Sequence, residues 1–311
     1  MNDRPLDDQL PSWRPGPTRE AVTGFLDAAA QVPPTDRVAY FDNDGTLWCE
    51  RPNYPQLEFF TDALRQRSTT DPDLVGRPEF AAVLAGDMHA VGDIGLERVA
   101  MALVSLFESL EPAAFEALVN DFMDRARHAD LGRPMRAIVY RPMLELIDEL
   151  RRLDFTVGIV TGGGTEFVRA ISSDLYGVPP ELVVGTLIGS EFGRDADGRV
   201  SVRRTASLLG DPNEGAAKVT NIQTQLGRAP IFAAGNSGGD REMLEWATAS
   251  TGPNMALLVD HDDADREYEY VSVAQTFDEP EPITTVAERL GWTVVSMRRD
   301  WSTVFPPVSD P

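Results

Sequence analysis

One short run constrains the fold of this chain more than any other part of the sequence. An apolar stretch, residues 38–41, ends abruptly in two carboxylates two positions apart, Asp42 and Asp44, and Gly45 and Thr46 follow at once. Two acids at the tip of a buried strand lose hydration and repel each other, so a fold keeps them there only for a chemical reason. The run therefore predicts a buried strand whose carboxyl end holds a divalent cation and a phosphoryl group.

The rest of the chain predicts the sheet to which that strand belongs. Further apolar runs that read as strands cover residues 155–161, 182–186, 231–234 and 255–259, and a hairpin turn is predicted around residues 195–198. Apolar strands that alternate with helices are typical of an α/β fold with a parallel sheet, in which ligands bind at the carboxyl ends of the strands. Residues 292–301 are predicted to form a last strand, followed by a tail that packs on the edge of the sheet.

The segment between the first and second strands is predicted to be helical. A helix is expected over residues 18–30, an irregular arm before it, and a helical pattern with no convincing strand over residues 55–128. The clearest helix covers residues 93–110, and we interpret its apolar stripe as the internal core of this segment. That stripe consists of Leu96, Val99, Leu103, Leu106 and Leu110. Residues 132–134 are expected to link back to the sheet, and Pro142 suits the first turn of a helix that ends near residue 153.

Charge limits the partners of the chain. The 311 residues include 28 basic and 50 acidic side chains, a net charge of −22, and the field of such a chain repels nucleic acid and anionic membranes. It also repels an anionic substrate, so a phosphate site needs a local cation. Lys218 is the only lysine, and a site that requires a compact ammonium would keep a lysine where arginine has replaced it elsewhere.

Three more pieces of sequence lie where the predicted strands end. Thr161 is followed by glycines at 162–164, which let an anion approach backbone N–H groups at the start of a helix. Lys218 is predicted on a helix, where its ammonium would neutralise phosphoryl oxygens. Asn236 and Asp240 follow another strand, and their oxygen atoms suit Mg²⁺.

The acids of the first run divide the chemistry of phosphoryl transfer between them. Asp42 is the candidate nucleophile, and Asp44 is the candidate general acid and base. A strand end followed by an ordinary turn is the alternative, because Asp-Gly and Asn-Asp are common turn sequences. The glycine run at 162–164 is equally compatible with a plain tight turn.

The order of these motifs resembles the haloacid dehalogenase superfamily, and within it the phosphoserine phosphatase-like branch. The resemblance rests on Asp-x-Asp-Gly-Thr, then Thr-Gly-Gly, then a lone lysine, then Gly-Asn-x-x-x-Asp, and it covers residues 38–260. It implies an α/β fold, in which a Rossmann-like parallel sheet core carries an inserted α-helical cap. The core would comprise residues 1–50 and 135–311, and the cap residues 51–134.

The resemblance also implies roles for individual residues. Asp42, Asp44, Thr161 and Lys218 would be catalytic, with Lys218 bridging the phosphoryl group to Asp42. Asp42, the Asp44 carbonyl, Asn236 and Asp240 are the expected surroundings of a Mg²⁺ ion. Contacts to the phosphate or the substrate are expected from Thr46, Gly162, Gly163 and Glu50. The family usually has Asp where this chain has Asn236, so we hypothesise that Asp240 coordinates the metal directly or lies close behind it.

Two other functions remain open at the level of sequence. Gly235-Asn236-Ser237-Gly238-Gly239 matches the nucleophile elbow of serine esterases, with His261 as the candidate base, but only 24 residues separate Ser237 from His261. A degenerate site that binds a phosphate ligand without catalysis is the other alternative, because Asn236 is neutral. Both leave less of the pattern explained than a Mg²⁺-dependent phosphatase that forms an aspartyl-phosphate.

The expected substrate is a small phosphorylated metabolite, selected by the cap. Glu50 follows the first motif and is a candidate to recognise an amine on that substrate. The single cysteine, Cys49, fits a reducing compartment, and no signal peptide or membrane span is visible, so a cytoplasmic location is expected. The oligomeric state cannot be read from the sequence.

Overall fold

A seven-stranded sheet forms the centre of the computed structural model, which describes residues 9–194 and 196–308. Its strands are β1 (Val38–Phe41), β2 (Thr156–Gly164), β3 (Val183–Arg194), β4 (Val200–Leu209), β5 (Phe232–Gly235), β6 (Met255–Asp260) and β7 (Thr293–Ser296). They lie in the order β4-β3-β2-β1-β5-β6-β7, and each neighbouring pair is parallel except β3 with β4. The predicted α/β class with a mostly parallel sheet is confirmed.

Strand β1 lies at the centre of the sheet because its side chains are apolar on both faces. All four of its residues are buried. Ala39 and Phe41 belong to one hydrophobic cluster, and Val38 and Tyr40 belong to a second cluster on the other face. A parallel strand covered by helices on both faces requires this continuous apolar pattern. Phe41 is in register with Ile159 of β2 and Ala234 of β5, so the carboxyl ends of the three strands meet at one edge.

Helices cover the sheet and fill the long connection from β1 to β2. In chain order they are α1 (Pro17–Ala29), α2 (Pro55–Ser68), α3 (Pro78–Ala85), α4 (Met88–Ile94), α5 (Leu96–Ser105), α6 (Pro112–Arg125), α7 (Arg141–Arg152), α8 (Thr165–Tyr176), α9 (Ala216–Gln225), α10 (Arg241–Thr248), α11 (Ile283–Leu290) and α12 (Met297–Asp300). Pro142 lies in the first turn of α7, where its missing N–H costs no helical hydrogen bond, as predicted.

Residues 51–134, here called the helical insert, are described in full and contain helices α2 to α6 but none of the strands of the sheet. The single helix predicted over residues 93–110 is wrong. Gly95 has φ 99° and separates α4 from α5, because only glycine adopts this backbone conformation without strain. The division into a core and a separate cap domain stays a prediction.

The predicted short strand at residues 182–186 is longer in the structure. β3 has 12 residues, and its second half pairs antiparallel with β4 to form the expected hairpin. Asp195, which belongs to the predicted hairpin turn, lies outside the described residues. Arg204 of β4 exchanges backbone hydrogen bonds with Ser109 and Leu110, which ties the hairpin to the helical insert.

The two ends of the described chain pack together at the β7 edge. The last strand predicted over residues 292–301 is confirmed only in its first half, as β7, and the short helix α12 takes the place of its second half. Trp13 and Trp301 are both buried, form an isolated antiparallel bridge and stack edge to face with ring centroids 6.1 Å apart. Of the arm predicted over residues 1–17, residues 1–8 lie outside the described part of the chain.

Candidate active site

The carboxyl ends of the central strands bring together three charged residues that are distant in sequence. The Lys218 ammonium donates to Asp42 Oδ1 and to Asp240 Oδ1, each at 2.6 Å, and to the Val160 carbonyl at 2.8 Å. Lys218 lies on α9, Asp42 directly follows β1, and Asp240 lies beyond the end of β5. All three side chains are buried, so no water competes for the three donors of the ammonium.

Burial and mutual repulsion set the protonation of this group. Burial raises the pKa of Asp42 well above its ordinary value, and the Asp240 carboxylate adds to the increase. Burial alone would lower the pKa of Lys218, but the carboxylates of Asp240 and Asp42 raise it above its ordinary value. The lysine therefore stays protonated, while burial and Asp240 disfavour the charged form of Asp42.

Asp44 lies beside the same group and is held by neutral donors. Trp48 Nε1 donates to its Oδ1 at 2.9 Å, and the Thr161 hydroxyl lies 3.4 Å from its Oδ2. Burial raises the pKa of Asp44, and these hydrogen bonds oppose only part of the increase. A carboxyl group of this kind can retain a proton and release it to a leaving group.

The amide of Asn236 is oriented by its contacts. Its Nδ2 donates to Glu50 Oε1 at 3.2 Å and to the Ser272 hydroxyl at 3.1 Å, while Thr46 Oγ1 lies 3.4 Å from its Oδ1. Because the Glu50 carboxylate accepts only from the NH₂ end, the amide oxygen is directed away from Glu50. Asn236 thus offers an oxygen atom, the kind of ligand that Mg²⁺ prefers.

Glu50 was a candidate to bind an amine of the substrate, but its carboxyl group already accepts hydrogen bonds from protein side chains. Its Oε1 also accepts from the Tyr270 hydroxyl at 2.8 Å, and the residue is 6% exposed. Burial raises the pKa of Glu50, against the effect of His261. A carboxyl group, which Asn236 lacks, therefore lies one hydrogen bond behind the Asn236 amide.

The carboxylate of Asp240 contacts Lys218 and two backbone N–H groups. Its Oδ1 accepts from Lys218, and its Oδ2 accepts from the N–H groups of Asn236 and Ser237, both at 3.0 Å. Direct coordination of a metal by Asp240 stays a prediction, and its contacts favour a role in fixing Lys218 and the loop of Asn236.

Gly45 permits the close approach of the first loop to Asn236. Its φ is 74°, and a Cβ atom built there would lie 1.9 Å from Asn236 Nδ2. Both the backbone conformation and the space require glycine at this position. The Asp-Gly pair is thus more than a turn signal, because it lets Asn236 and Glu50 meet beneath the loop.

The glycines at 162–164 are part of β2, whose register shifts between Val160 and Gly164. Gly163 N donates to Thr161 Oγ1 at 2.9 Å, and Gly164 N donates to Gln56 Oε1 at 2.8 Å. Gln56 belongs to α2, so the helical insert contacts the end of β2 at the entrance to α8. A phosphate at Gly162 would lie beside this contact.

The serine and histidine that an esterase would require, Ser237 and His261, do not form a hydrogen-bonded pair. The Ser237 hydroxyl lies 3.3 Å from Asp240 Oδ2, whereas His261 contacts the Gly45 carbonyl through Nε2 at 2.9 Å and Glu267 through Nδ1 at 3.2 Å. Both nitrogens of the ring are thus engaged elsewhere, and His261 has a structural role beneath the first loop.

A metal ion here would need carbonyl or amide oxygen ligands in addition to a carboxylate. Within residues 9–194 and 196–308, no group of three or more His, Cys, Asp and Glu side chains is arranged to hold a metal. Asp42, Asp44 and Asp240 set three ionisable acids against one ammonium, which leaves two negative charges when all are ionised. A divalent cation bound to Asp42, the Asp44 carbonyl and the Asn236 amide oxygen balances that excess, so the residues present fit Mg²⁺.

A cavity of about 990 Å³ opens over this group. Asp42, Asp44 and Lys218 lie at one end, with the glycines of β2 beside them. The walls come from helices α2 to α6 and from the β3–β4 hairpin. The cavity makes the acids and the lysine accessible to a small molecule.

Several residues that shape the site carry no recognisable signal in the sequence. Trp48 holds Asp44, Gln56 holds the Gly164 amide, and Tyr270 holds Glu50. The Asn213 side chain donates to the Thr161 carbonyl at 2.9 Å, and the Tyr176 hydroxyl donates to Asn43 Oδ1 at 2.9 Å. Trp48 directly follows the first motif, and an indole N–H so close in sequence to Asp44 could have indicated a hydrogen bond to that acid.

None of the helices in the described part of the chain has the length and apolarity that a membrane span requires. No curated protein matches the sequence.

A comparison with solved structures finds similar chains at low sequence identity. A functionally unknown protein from Anaerococcus prevotii is 13% identical, with 79% of this chain and 86% of that chain covered and a TM-score of 0.51. A protein of unknown function from Bordetella pertussis is 19% identical, with coverage of 83% and 97% and a TM-score of 0.49. A phosphoserine phosphohydrolase-like protein from Francisella tularensis is 16% identical, with coverage of 82% and 99% and a TM-score of 0.39.

The family is shown by a sequence model rather than by these structures. The model for haloacid dehalogenase-like hydrolases matches residues 39–245, which include every residue of the group around Lys218. The chain belongs to the haloacid dehalogenase-like hydrolase family.

Proposed function

We propose that this protein is a Mg²⁺-dependent phosphatase that hydrolyses a phosphomonoester through an aspartyl-phosphate on Asp42. The observation that carries the proposal is the Lys218 ammonium, held 2.6 Å from both Asp42 Oδ1 and Asp240 Oδ1 in a buried site that opens onto the cavity. A cation fixed against a buried carboxylate suits a reaction in which that carboxylate takes up a phosphoryl group.

In the first half of the reaction, a carboxylate oxygen of Asp42 attacks phosphorus and the bond from phosphorus to the ester oxygen breaks. The leaving oxygen takes the proton of the Asp44 carboxyl group. The raised pKa of Asp44 supports this role, because a carboxyl group that holds its proton more tightly than usual can act as a general acid.

In the second half, water attacks the phosphorus of the aspartyl-phosphate. Asp44, now a carboxylate, removes a proton from that water, and the bond from phosphorus to Asp42 breaks to release phosphate. Lys218 stays protonated throughout and offsets the charge on the phosphoryl oxygens. Thr46, Thr161, Gly162 and Gly163 are proposed to contact the phosphoryl group from the ends of β1 and β2.

Mg²⁺ would be held by Asp42, the Asp44 carbonyl and the Asn236 amide oxygen, and when bound it would neutralise phosphoryl charge. Glu50 is proposed to orient the Asn236 amide and to supply the negative charge that an aspartate would carry at that position. This role replaces recognition of a substrate amine, because Tyr270 and Asn236 already engage Glu50 Oε1.

The proposed partner is a small phosphorylated molecule rather than nucleic acid or a membrane, in keeping with the net charge of −22. A reducing, cytoplasmic setting is also proposed, supported by the buried and unpaired Cys49.

A screen of phosphomonoesters with and without Mg²⁺ tests the proposal, with Asp42→Asn as the blank. We expect Mg²⁺-dependent release of phosphate that the variant lowers by several orders of magnitude. Activity that survives in Asp42→Asn, or release of acetate from an aryl acetate that Ser237→Ala abolishes, contradicts the proposal.

A further inference from the structure

The wall of the cavity is apolar over most of its extent. Beyond the acids and the lysine, apolar side chains of the helical insert form much of it, among them Leu57, Phe60, Val83, Val91, Val99 and Leu103. The charged side chains of Arg65 and Glu97 also line it. Two of the apolar side chains, Val99 and Leu103, belong to the stripe that the sequence predicted to be the internal core of the segment. That interpretation is confirmed for Val99 and Leu103, which are each 3% exposed and belong to the hydrophobic core, and both also border the cavity.

The mouth of the cavity is apolar too. Met88 and Leu96 line it and are 61% and 53% exposed, the highest exposures among the large apolar side chains of α4 and α5. Exposed large apolar side chains beside a concave site commonly contact a ligand. The apolar surface therefore continues from the buried end to the rim.

Two charged residues that line the cavity, Arg204 and Glu50, already have partners. Arg204 pairs with Glu166, and its guanidinium lies 3.9 Å from the centre of the Phe115 ring. Burial lowers the pKa of Arg204 to about 10. Glu50 is held by Tyr270 and Asn236. A substrate with an amino-acid head would require a free cation for its carboxylate and a free acid for its ammonium, and burying either group unpaired is costly.

We infer that the substrate is a phosphomonoester whose organic body is large and apolar, an aryl or long-chain alkyl group, and not an amino-acid phosphate. The inference rests on the proposed phosphatase function and specifies its substrate class. The phosphoryl group lies at Asp42 and Lys218, and the apolar body extends along α2 and α5 toward Leu96. A cavity of about 990 Å³ is at the upper end of the range of small-molecule sites, which accommodates such a body.

Chain length provides the test. The Mg²⁺-loaded protein is assayed with n-alkyl phosphates from ethyl to decyl and with O-phosphoserine, and binding of the matching n-alkylphosphonates is measured by calorimetry. Each methylene that enters the apolar wall is expected to raise kcat/KM and phosphonate affinity by about three- to fourfold until the cavity is filled. O-phosphoserine is expected to be a poorer substrate than hexyl phosphate.

Two exposed leucines of the helical insert form a matched pair of variants. Leu96→Glu places a charge at the mouth, and we expect it to lower the decyl-to-ethyl ratio of kcat/KM by about tenfold or more. Leu118→Glu alters a leucine that is 42% exposed on α6 and does not line the cavity, so it should keep the wild-type ratio.

The outcomes separate this inference from the phosphatase proposal. Asp42-dependent turnover with no dependence on chain length, or with O-phosphoserine preferred, overturns the substrate class and leaves the phosphatase intact. If no phosphomonoester is hydrolysed, the measured affinities of the n-alkylphosphonates still test the substrate class. Affinity that rises with chain length supports an apolar ligand, and affinity that stays flat overturns it.

Discussion

Lys218 makes the dense cluster of acids compatible with a folded protein. An ammonium that is 2% exposed has lost nearly all its hydration, and three oxygen acceptors within 2.8 Å replace it. An arginine would bring five donors and a wide planar group into a space filled by a single point charge. This difference explains why lysine remains at the one position where three oxygen atoms surround the cation in a buried site.

Asp44 is expected to reduce the stability of the protein at neutral pH. Its pKa is raised in the folded state, so the folded protein binds the proton more tightly and stability falls as pH rises from the unfolded pKa of the group through its folded value. In a metal-free protein, Asp44→Asn should therefore have a higher free energy of unfolding than wild type at neutral pH. The difference should vanish below about pH 4, where the carboxyl is protonated in both states.

Denaturant unfolding at several pH values in the presence of a chelator measures this difference. Asp27→Asn on α1 is the control, because it removes an exposed carboxyl group outside the site. If the free energy of unfolding of Asp44→Asn is equal to or below that of wild type at neutral pH, burial of Asp44 does not destabilise the protein as predicted.

The proposed role of Glu50, which is to supply the negative charge that an aspartate would carry at position 236, gives a second prediction for individual residues. Glu50→Gln should weaken Mg²⁺ affinity by about 10–100-fold, because it removes the carboxylate that orients and supports a ligand. Asn236→Asp combined with Glu50→Gln should recover most of the affinity by moving the charge to the ligand itself.

Calorimetry with Mg²⁺, or electron spin resonance with Mn²⁺, measures the affinity for the cation without requiring turnover of a substrate. Tyr270→Phe is the control, since it removes one hydrogen bond to Glu50 but keeps the charge. The assignment is wrong if Glu50→Gln binds the cation as tightly as wild type.

At the level of elements, the helical insert depends on the break at Gly95. A Cβ atom at Gly95 would meet nothing within 4 Å, so the cost of a substitution is the backbone conformation alone. Gly95→Ala is expected to lower the free energy of unfolding by about 1–3 kcal/mol. It should also weaken the chain-length dependence of substrates, because α5 forms part of the cavity wall.

Gly92 provides the matched control. It lies inside α4 with no positive φ and no neighbour within 4 Å of an added Cβ, so Gly92→Ala should raise stability by about 0.5–1 kcal/mol. Equal effects of the two substitutions, measured by denaturant unfolding, would show that the break between the helices is not strained.

The sequence predicts elements well where the pattern is local. The alternation of apolar runs and helices locates β1, β2, β5 and β6, and the acids at the tip of β1 follow from their position alone. The break at Gly95 was missed because the apolar period continues across it. The length of β3 was missed because its second half pairs with β4, on an exposed part of the sheet where the apolar pattern is weak.

Contacts between distant segments could not be predicted in this way. Tyr270 meets Glu50 across 220 positions and Gln56 meets Gly164 across 108, and neither pair leaves a pattern in the chain. The apolar stripe of α5 shows the same limit, since periodicity identifies a buried face but does not distinguish a packed core from the wall of a cavity.

At the scale of the whole molecule, the net charge of −22 opposes the approach of any phosphomonoester dianion. Added monovalent salt screens this repulsion, so kcat/KM at saturating Mg²⁺ should rise, by about two- to fivefold between about 10 and 200 mM salt. Steady-state rates at low substrate concentration measure it. A decrease would mean that a positive surface near the cavity outweighs the charge of the whole protein.

The central claim is that Asp42, Lys218 and Asp240 surround one phosphorus atom and that Asp42 becomes bonded to it. Rapid acid quenching of the Mg²⁺-loaded protein during turnover, followed by proteolysis and mass spectrometry, tests it most directly. The account predicts a phosphoryl group on the peptide that contains Asp42 and none in Asp42→Asn. Turnover of a phosphomonoester with no phosphorylated Asp42 at any quench time, or with the phosphoryl group on Ser237, would contradict it.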